Sequence, residues 1–128
     1  MSPPPVGPYA PVRRVGDWVI TSGQIGLAPG GGPPALVEGG TLPQLHQALQ
    51  NATAALATEG ATLRDVVKTT LYLVDMAEFA AVNEVWVQYF TEDRPTRSAV
   101  AVVALPAGAR VEVEAWAYVP APAVAPER

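Results

Sequence analysis

Between Arg110 and Val119 the chain alternates without a break. Val111, Val113, Ala115, Ala117 and Val119 fall on one side, while Arg110, Glu112, Glu114, Trp116 and Tyr118 fall on the other. A period of two in side-chain character is the signature of a β-strand, whose successive side chains point to opposite faces of a sheet. This strand has one face that must be covered and a second that mixes carboxylates with large aromatics. The stretch before it, Ser98 to Leu105, is apolar on both faces: Ala99, Ala101 and Val103 on one, Val100 and Val102 on the other. A chain of 128 residues supplies one ordinary domain and too few helices to cover both faces of a sheet. An apolar face left uncovered is an interface. The expectation is a homo-oligomer that closes over it.

The remaining elements follow from local signals. Val12 to Val15 and Trp18 to Ser22 flank the turn dipeptide Gly16-Asp17 and read as an opening hairpin. Leu27 to Gly40, with five glycines and three prolines, reads as a long loop. Thr41 offers an N-cap and Pro43 sits in the first turn. Leu42, Leu45, Leu49, Ala52 and Leu56 then recur at helical spacing until Gly60 ends the helix. Asp65 to Asp75 is β-branched and aromatic with apolar residues on both faces, as in a central strand. Asp75 and Glu78 resemble a capping signal before the stripe Phe79, Val82, Trp86 and Tyr89/Phe90, with Pro95 as the breaker. Ser98 to Leu105 and Arg110 to Val119 are the last two strands, joined through Pro106 to Ala109. The order is β-β-α-β-α-β-β, an α+β fold in which two helices cover one face of a mixed sheet. Prolines crowd both ends (Pro3, Pro4, Pro5, Pro8 and Pro11; Pro120, Pro122 and Pro126), which predicts extended tails around a folded core.

Several chemistries are excluded or thin. There is no cysteine, and the single histidine is His46. That removes disulfides, thiolate nucleophiles and Cys- or His-cluster metal sites. His46 lies among Gln44, Gln47 and Gln50 and reads as a solvated surface residue. Eight basic residues against twelve acidic ones, a net charge of -4, lack the footprint of a nucleic-acid binder. No apolar stretch is long enough to span a membrane, and the first residues do not form a signal peptide, so a cytoplasmic chain is expected. Gly30-Gly31-Gly32 runs into Pro33-Pro34 and offers no phosphate cradle. Glu112 and Glu114 are either a working carboxylate pair or a solvated acidic face. Arg97, at the mouth of an uncharged strand, is either a salt-bridge partner or a fork for a ligand carboxylate.

Five motifs then carry a resemblance: GPYAP from Gly7, TSGQIG from Thr21, DVVKTTLYLVDMAEFAAVNEVW from Asp65, PTRSAVAVVALP from Pro95 and VEVEAWA from Val111. In this order, across residues 7 to 119 of a single domain spanning 1 to 128, they resemble the Rid family, the reactive enamine/imine intermediate deaminases also called the YjgF family. The resemblance implies a homotrimer with a chorismate-mutase-like barrel core and clefts between subunits. It puts carboxylate binding on Arg97 and water activation on Glu112, with a weaker claim for Glu114. It makes Tyr9, Ser22 and Gly23 pocket-lining residues and brings Asn83 to a neighbouring subunit's cleft. For Tyr9 and Ser22 the alternatives are a tyrosine whose hydroxyl is simply bonded and a serine that caps a strand end.

The implied reaction is hydrolysis of imines derived from 2-aminoacrylate to 2-keto acids and ammonia, without a metal or organic cofactor. The sequence departs from the family in three places. Ala99 stands where many members carry a cysteine, the connection from Phe90 to Arg97 is short, and Trp86 is large; all three bear on cleft shape and substrate preference. Two other functions share the motifs: a non-catalytic trimer that binds small carboxylates, and an endoribonuclease or translation inhibitor, against which the charge argues.

Overall fold

The computed structural model describes residues 3–120; the tail prolines Pro122 and Pro126 lie outside them. Ten segments follow one another. They are β1 (Val12–Val15), β2 (Trp18–Thr21), α1 (Thr41–Ala57), a 3-10 turn (Leu63–Asp65), β3 (Val66–Leu73), a second 3-10 turn (Met76–Glu78), α2 (Phe79–Tyr89), β4 (Thr96–Ala101), a third 3-10 turn (Pro106–Gly108) and β5 (Val111–Tyr118). The strands form one mixed sheet in the order β1-β2-β5-β3-β4. All pairs are antiparallel except β3 with β4, which run parallel with α2 as their crossover. The α+β architecture with two helices is the expected one.

The buried side of β5 is Val111, Val113, Ala115 and Ala117, as its alternation requires. Against it pack Leu45, Leu49 and Leu56 of α1, Val82, Val85 and Trp86 of α2, and Leu71 and Leu73 of β3. Each fully buried leucine contributes about 1.5–3 kcal/mol relative to an exposed one. The opposite face carries no helix. Trp18 meets Trp116 and Tyr118 edge-on there, at centroid distances of 6.0 and 5.1 Å, and the Lys68 ammonium stands 5.0 Å from the Trp116 ring.

Several local expectations are corrected. The last two strands, though joined through Pro106 to Ala109, are not neighbours: β3 lies between them, because β5 extends its antiparallel pairing along β3 while β4 is left to pair parallel on the outer edge. β4 spans 96–101 rather than 98–105, since its partner β3 ends at Leu73 and Val103 has nothing to pair with and is fully exposed. Arg97 is therefore inside the strand, not at its mouth. α2 stops at Tyr89, well before Pro95.

Thr41 is not a cap. Gly40 holds that position at φ 89°, and the Thr41 hydroxyl donates to Glu78 (2.7 Å) and accepts from Arg110 Nε (2.8 Å), a charged pair that competes successfully for it. His46 is not a solvated residue either. It is half-buried, with Nδ1 2.8 Å from the Tyr89 hydroxyl, and so joins α1 to α2. Gln44 is buried too, because its side-chain carbonyl accepts the Arg110 backbone N–H at 2.8 Å. Among the described residues no helix is long and apolar enough to cross a membrane.

Candidate functional site

The pleat decides where the candidate residues can meet. Glu112 is the partner of Tyr72 on β3 and points to the open face, with Glu114 two residues on. Arg97 is the partner of Thr69, which is buried on the helix-covered side. Within one chain the two residues therefore stand on opposite faces of the sheet.

On the open side, Tyr9, Gly23 and Glu112 line one pocket. The segment after β2 is held beside β5 by reciprocal backbone bonds between Gln24 and Val113 of 2.7 and 2.9 Å. Farther along, Asn51 of α1 donates to the carbonyls of Ile25 and Leu27 at 3.1 and 2.9 Å. That arrangement presses Gly23 against the Glu112 carboxylate. A Cβ at Gly23 would stand 2.6 Å from Glu112 Cδ and 3.0 Å from Cγ, so only a hydrogen fits there. Burial first, and the Glu114 charge second, raise the Glu112 carboxyl above the ordinary glutamate range. Glu114 has its own partner: the Tyr72 hydroxyl donates to its Oε1 at 2.7 Å. That bond, then burial, raises the Tyr72 phenol.

On the other side, Arg97 and Asn83 line a shallow depression with Trp86, Arg94 and Pro95. The Arg97 guanidinium lies over two rings of α2, 5.2 Å from Phe79 and 5.0 Å from Trp86. Burial there lowers its pKa. Among the described residues no carboxylate lies within ion-pair distance of it, whereas Arg110 is paired with Glu78 at 3.0 Å. The Asn83 side-chain oxygen is buried without a hydrogen-bond partner. A stacked guanidinium without a carboxylate partner and an amide oxygen without a donor have the chemistry to pair with an anionic group and an N–H donor, respectively.

Ser22 lines neither pocket. Its hydroxyl donates to the Ala10 carbonyl at 2.6 Å and its N–H to the Pro11 carbonyl at 2.9 Å, which fastens the N-terminal segment to the end of β2. Tyr9 is exposed, so it is not a buried tyrosine whose hydroxyl has been satisfied. Sequence reasoning missed Tyr72 and Phe79 as neighbours of the site. The alternation along β3 puts Tyr72 on the face of Glu112 and Glu114 once the register is known, but the register is not visible in the sequence. No group of three or more His, Cys, Asp or Glu among the described residues could hold a metal.

The family profile described as "Endoribonuclease L-PSP" matches residues 1–119. The 2-iminobutanoate/2-iminopropanoate deaminase of Mus musculus is 43% identical over 116 residues, covering 91% of this chain and 84% of the mouse protein. The RutC family protein PH0854 of Pyrococcus horikoshii is 42% identical over 117 residues, 91% of each chain. Among solved structures, RidA of an Antarctic Psychrobacter superposes with a TM-score of 0.86 at 40% identity, covering 92% of this chain and 94% of that one. With the sheet, its helices and the placement of the five motifs in hand, the chain belongs to the endoribonuclease L-PSP family, also called the YjgF or Rid family.

Proposed function

We propose that this protein hydrolyses 2-imino acids, the tautomers of 2-aminoacrylate-type enamines, to 2-keto acids and ammonia, in clefts between the subunits of a homotrimer. The observation that carries the reading is the division of the candidate residues between the two faces of one sheet. Arg97 with Asn83 is one half of a site, and Glu112 with Gly23 and Tyr9 is the other. Neither half is sufficient for the reaction, and a second copy supplies the missing one. The exposed Trp18, Val15 and Tyr118 around the open face are surface for such an assembly.

In this reading the Arg97 fork holds the substrate carboxylate, with the Asn83 oxygen accepting from the imine N–H. The opposing Glu112 binds a water over the C=N carbon. The water oxygen forms the C–O bond as the C=N π electrons move to nitrogen, and Glu112 takes one water proton. It returns that proton to the nitrogen of the carbinolamine. The carbinolamine hydroxyl then gives its own proton, through Glu112, to the amino nitrogen as the C–N bond breaks, so that ammonia leaves and the oxygen becomes the keto oxygen. One water is consumed and one ammonia released. A carboxyl raised by burial is nearer the working pH than an ordinary glutamate and is better matched to taking and returning one proton.

The test is release of ammonia and keto acid from imines generated in situ by an amino acid oxidase, with wild type, Arg97→Ala and Glu112→Gln. Acceleration by wild type that both variants lose, with the assembly intact, supports the reading. Binding of pyruvate without turnover would leave a carboxylate-binding protein and remove the role given to Glu112. Sedimentation at micromolar concentration checks the assembly, and a stable monomer refutes it. The family description names an endoribonuclease, but a chain of net charge -4 lacks a basic stripe for RNA. RNA cleavage that falls steeply with salt and survives in Glu112→Gln would reverse that conclusion.

A further inference from the structure

The pocket that holds Glu112 is not closed by the sheet and its loops alone. Its outer wall is the start of the chain: Pro3, Pro4, Pro5 and Val6 line the same cavity as Gly23 and Glu112. The segment is tied down just beyond, where Ser22 binds the carbonyls of Ala10 and Pro11, and it turns at Gly7, whose carbonyl accepts the Tyr9 N–H at 2.9 Å. Gly7 permits that turn. A Cβ there would stand 2.7 Å from Tyr9 Cε2, so the tyrosine ring packs directly against the glycine. Pro4, Pro5 and Val6 are exposed on their outer side, and none of the four joins the hydrophobic core. They form a strap that faces solvent on one side and the pocket on the other.

Three consecutive prolines suit this position. Each fixes its own φ and restricts the residue before it, so the strap is stiff and loses little entropy in holding an extended shape. Its side chains are all aliphatic, and they bound the space left for an aliphatic substituent.

We propose that Pro3–Val6 is the specificity-determining wall of the pocket, limiting the length of the aliphatic side chain on the 2-imino or 2-keto acid that binds there. The inference rests on the functional reading above for the identity of the ligand, but the wall itself is tested separately. A protein lacking residues 2–5 is compared with the full chain on imines generated from alanine and from leucine. Because no core residue is removed, the melting temperature and assembly stay those of the full chain. The kcat/KM ratio of the leucine-derived to the alanine-derived imine rises about tenfold, the size of discrimination an apolar pocket achieves per methylene or two. A full-length Pro4→Gly/Pro5→Gly variant, which keeps the atoms of the chain but not its stiffness, gives a smaller rise in the same direction.

An unchanged ratio in the shortened protein overturns the proposal. If neither protein turns over any imine, the hydrolase reading fails by itself and the wall is read from equilibrium binding. The affinity for 4-methyl-2-oxopentanoate relative to pyruvate then rises on shortening. Equal affinity ratios in the two proteins, or no binding of either keto acid, overturn the wall as well.

Discussion

Replacing Gly23 by alanine is expected to separate the proposed catalysis from stability. The new Cβ would stand 2.6 Å from Glu112 Cδ and 3.0 Å from Cγ, well inside contact distance. The colliding group is the far end of a flexible side chain rather than backbone, so the carboxylate rotates away and the fold survives. Gly23 is not among the positive-φ glycines, so alanine meets no left-handed strain. Loss of glycine's freedom in the unfolded chain offsets part of the crowding by about 0.4–1 kcal/mol.

The expected change in stability is thus within about 1 kcal/mol in either direction. Activity behaves otherwise. Displacing a positioned acid–base group by about 1 Å costs on the order of 10²-fold, or about 2.7 kcal/mol in barrier height, and losing the group altogether costs up to about 10⁴-fold. The assay is kcat for keto-acid release together with thermal unfolding of the same sample. Wild-type kcat in a folded Gly23→Ala protein would refute both the tight seating of Glu112 and its role.

Four further outcomes are expected. Because burial and then Glu114 raise the Glu112 carboxyl, the folded protein holds that proton to higher pH than the unfolded chain does. Its contribution to stability is fully present below the unfolded pKa and is lost as pH rises through the folded one, so Glu112→Gln melts higher than wild type at neutral pH and the gap closes on acidification; a constant gap refutes the linkage. Glu114→Gln removes the second cause and moves the acid limb of kcat/KM down, read in a pH–rate profile. Arg97→Lys keeps the charge but loses the planar fork over Phe79 and Trp86, and it raises KM about tenfold or more with the assembly intact. In the core, Leu71→Ala removes a fully buried side chain between sheet and helices and costs about 2–5 kcal/mol by denaturant unfolding.

What was legible in the sequence is what depends on neighbours along the chain. The alternation of β5, the stripe of α1, the Gly16-Asp17 turn and the Gly60 stop at φ 79° all stand where local periodicity and backbone preference put them. The types of the candidate residues were legible too, because the five motifs lie in order along the chain. Pairing was not. That β3 comes between β4 and β5, that Arg97 and Glu112 lie on opposite faces, and that Tyr72 falls opposite Glu112 are consequences of strand order and register. A shift of one residue would invert every one of these faces.

The polar side chains that sequence reasoning misjudged failed for a related reason. Thr41, Gln44 and His46 look like a cap and two solvated residues on the helix, but Arg110, Glu78 and Tyr89 reach them from 37 or more residues away. Local sequence determines which backbone shapes and faces exist, since φ/ψ preference and burial periodicity act within a few residues. Which of those faces meet, and which carboxyl is thereby dried and which guanidinium left unpaired, is decided by tertiary packing, because hydrogen bonds and desolvation act through space.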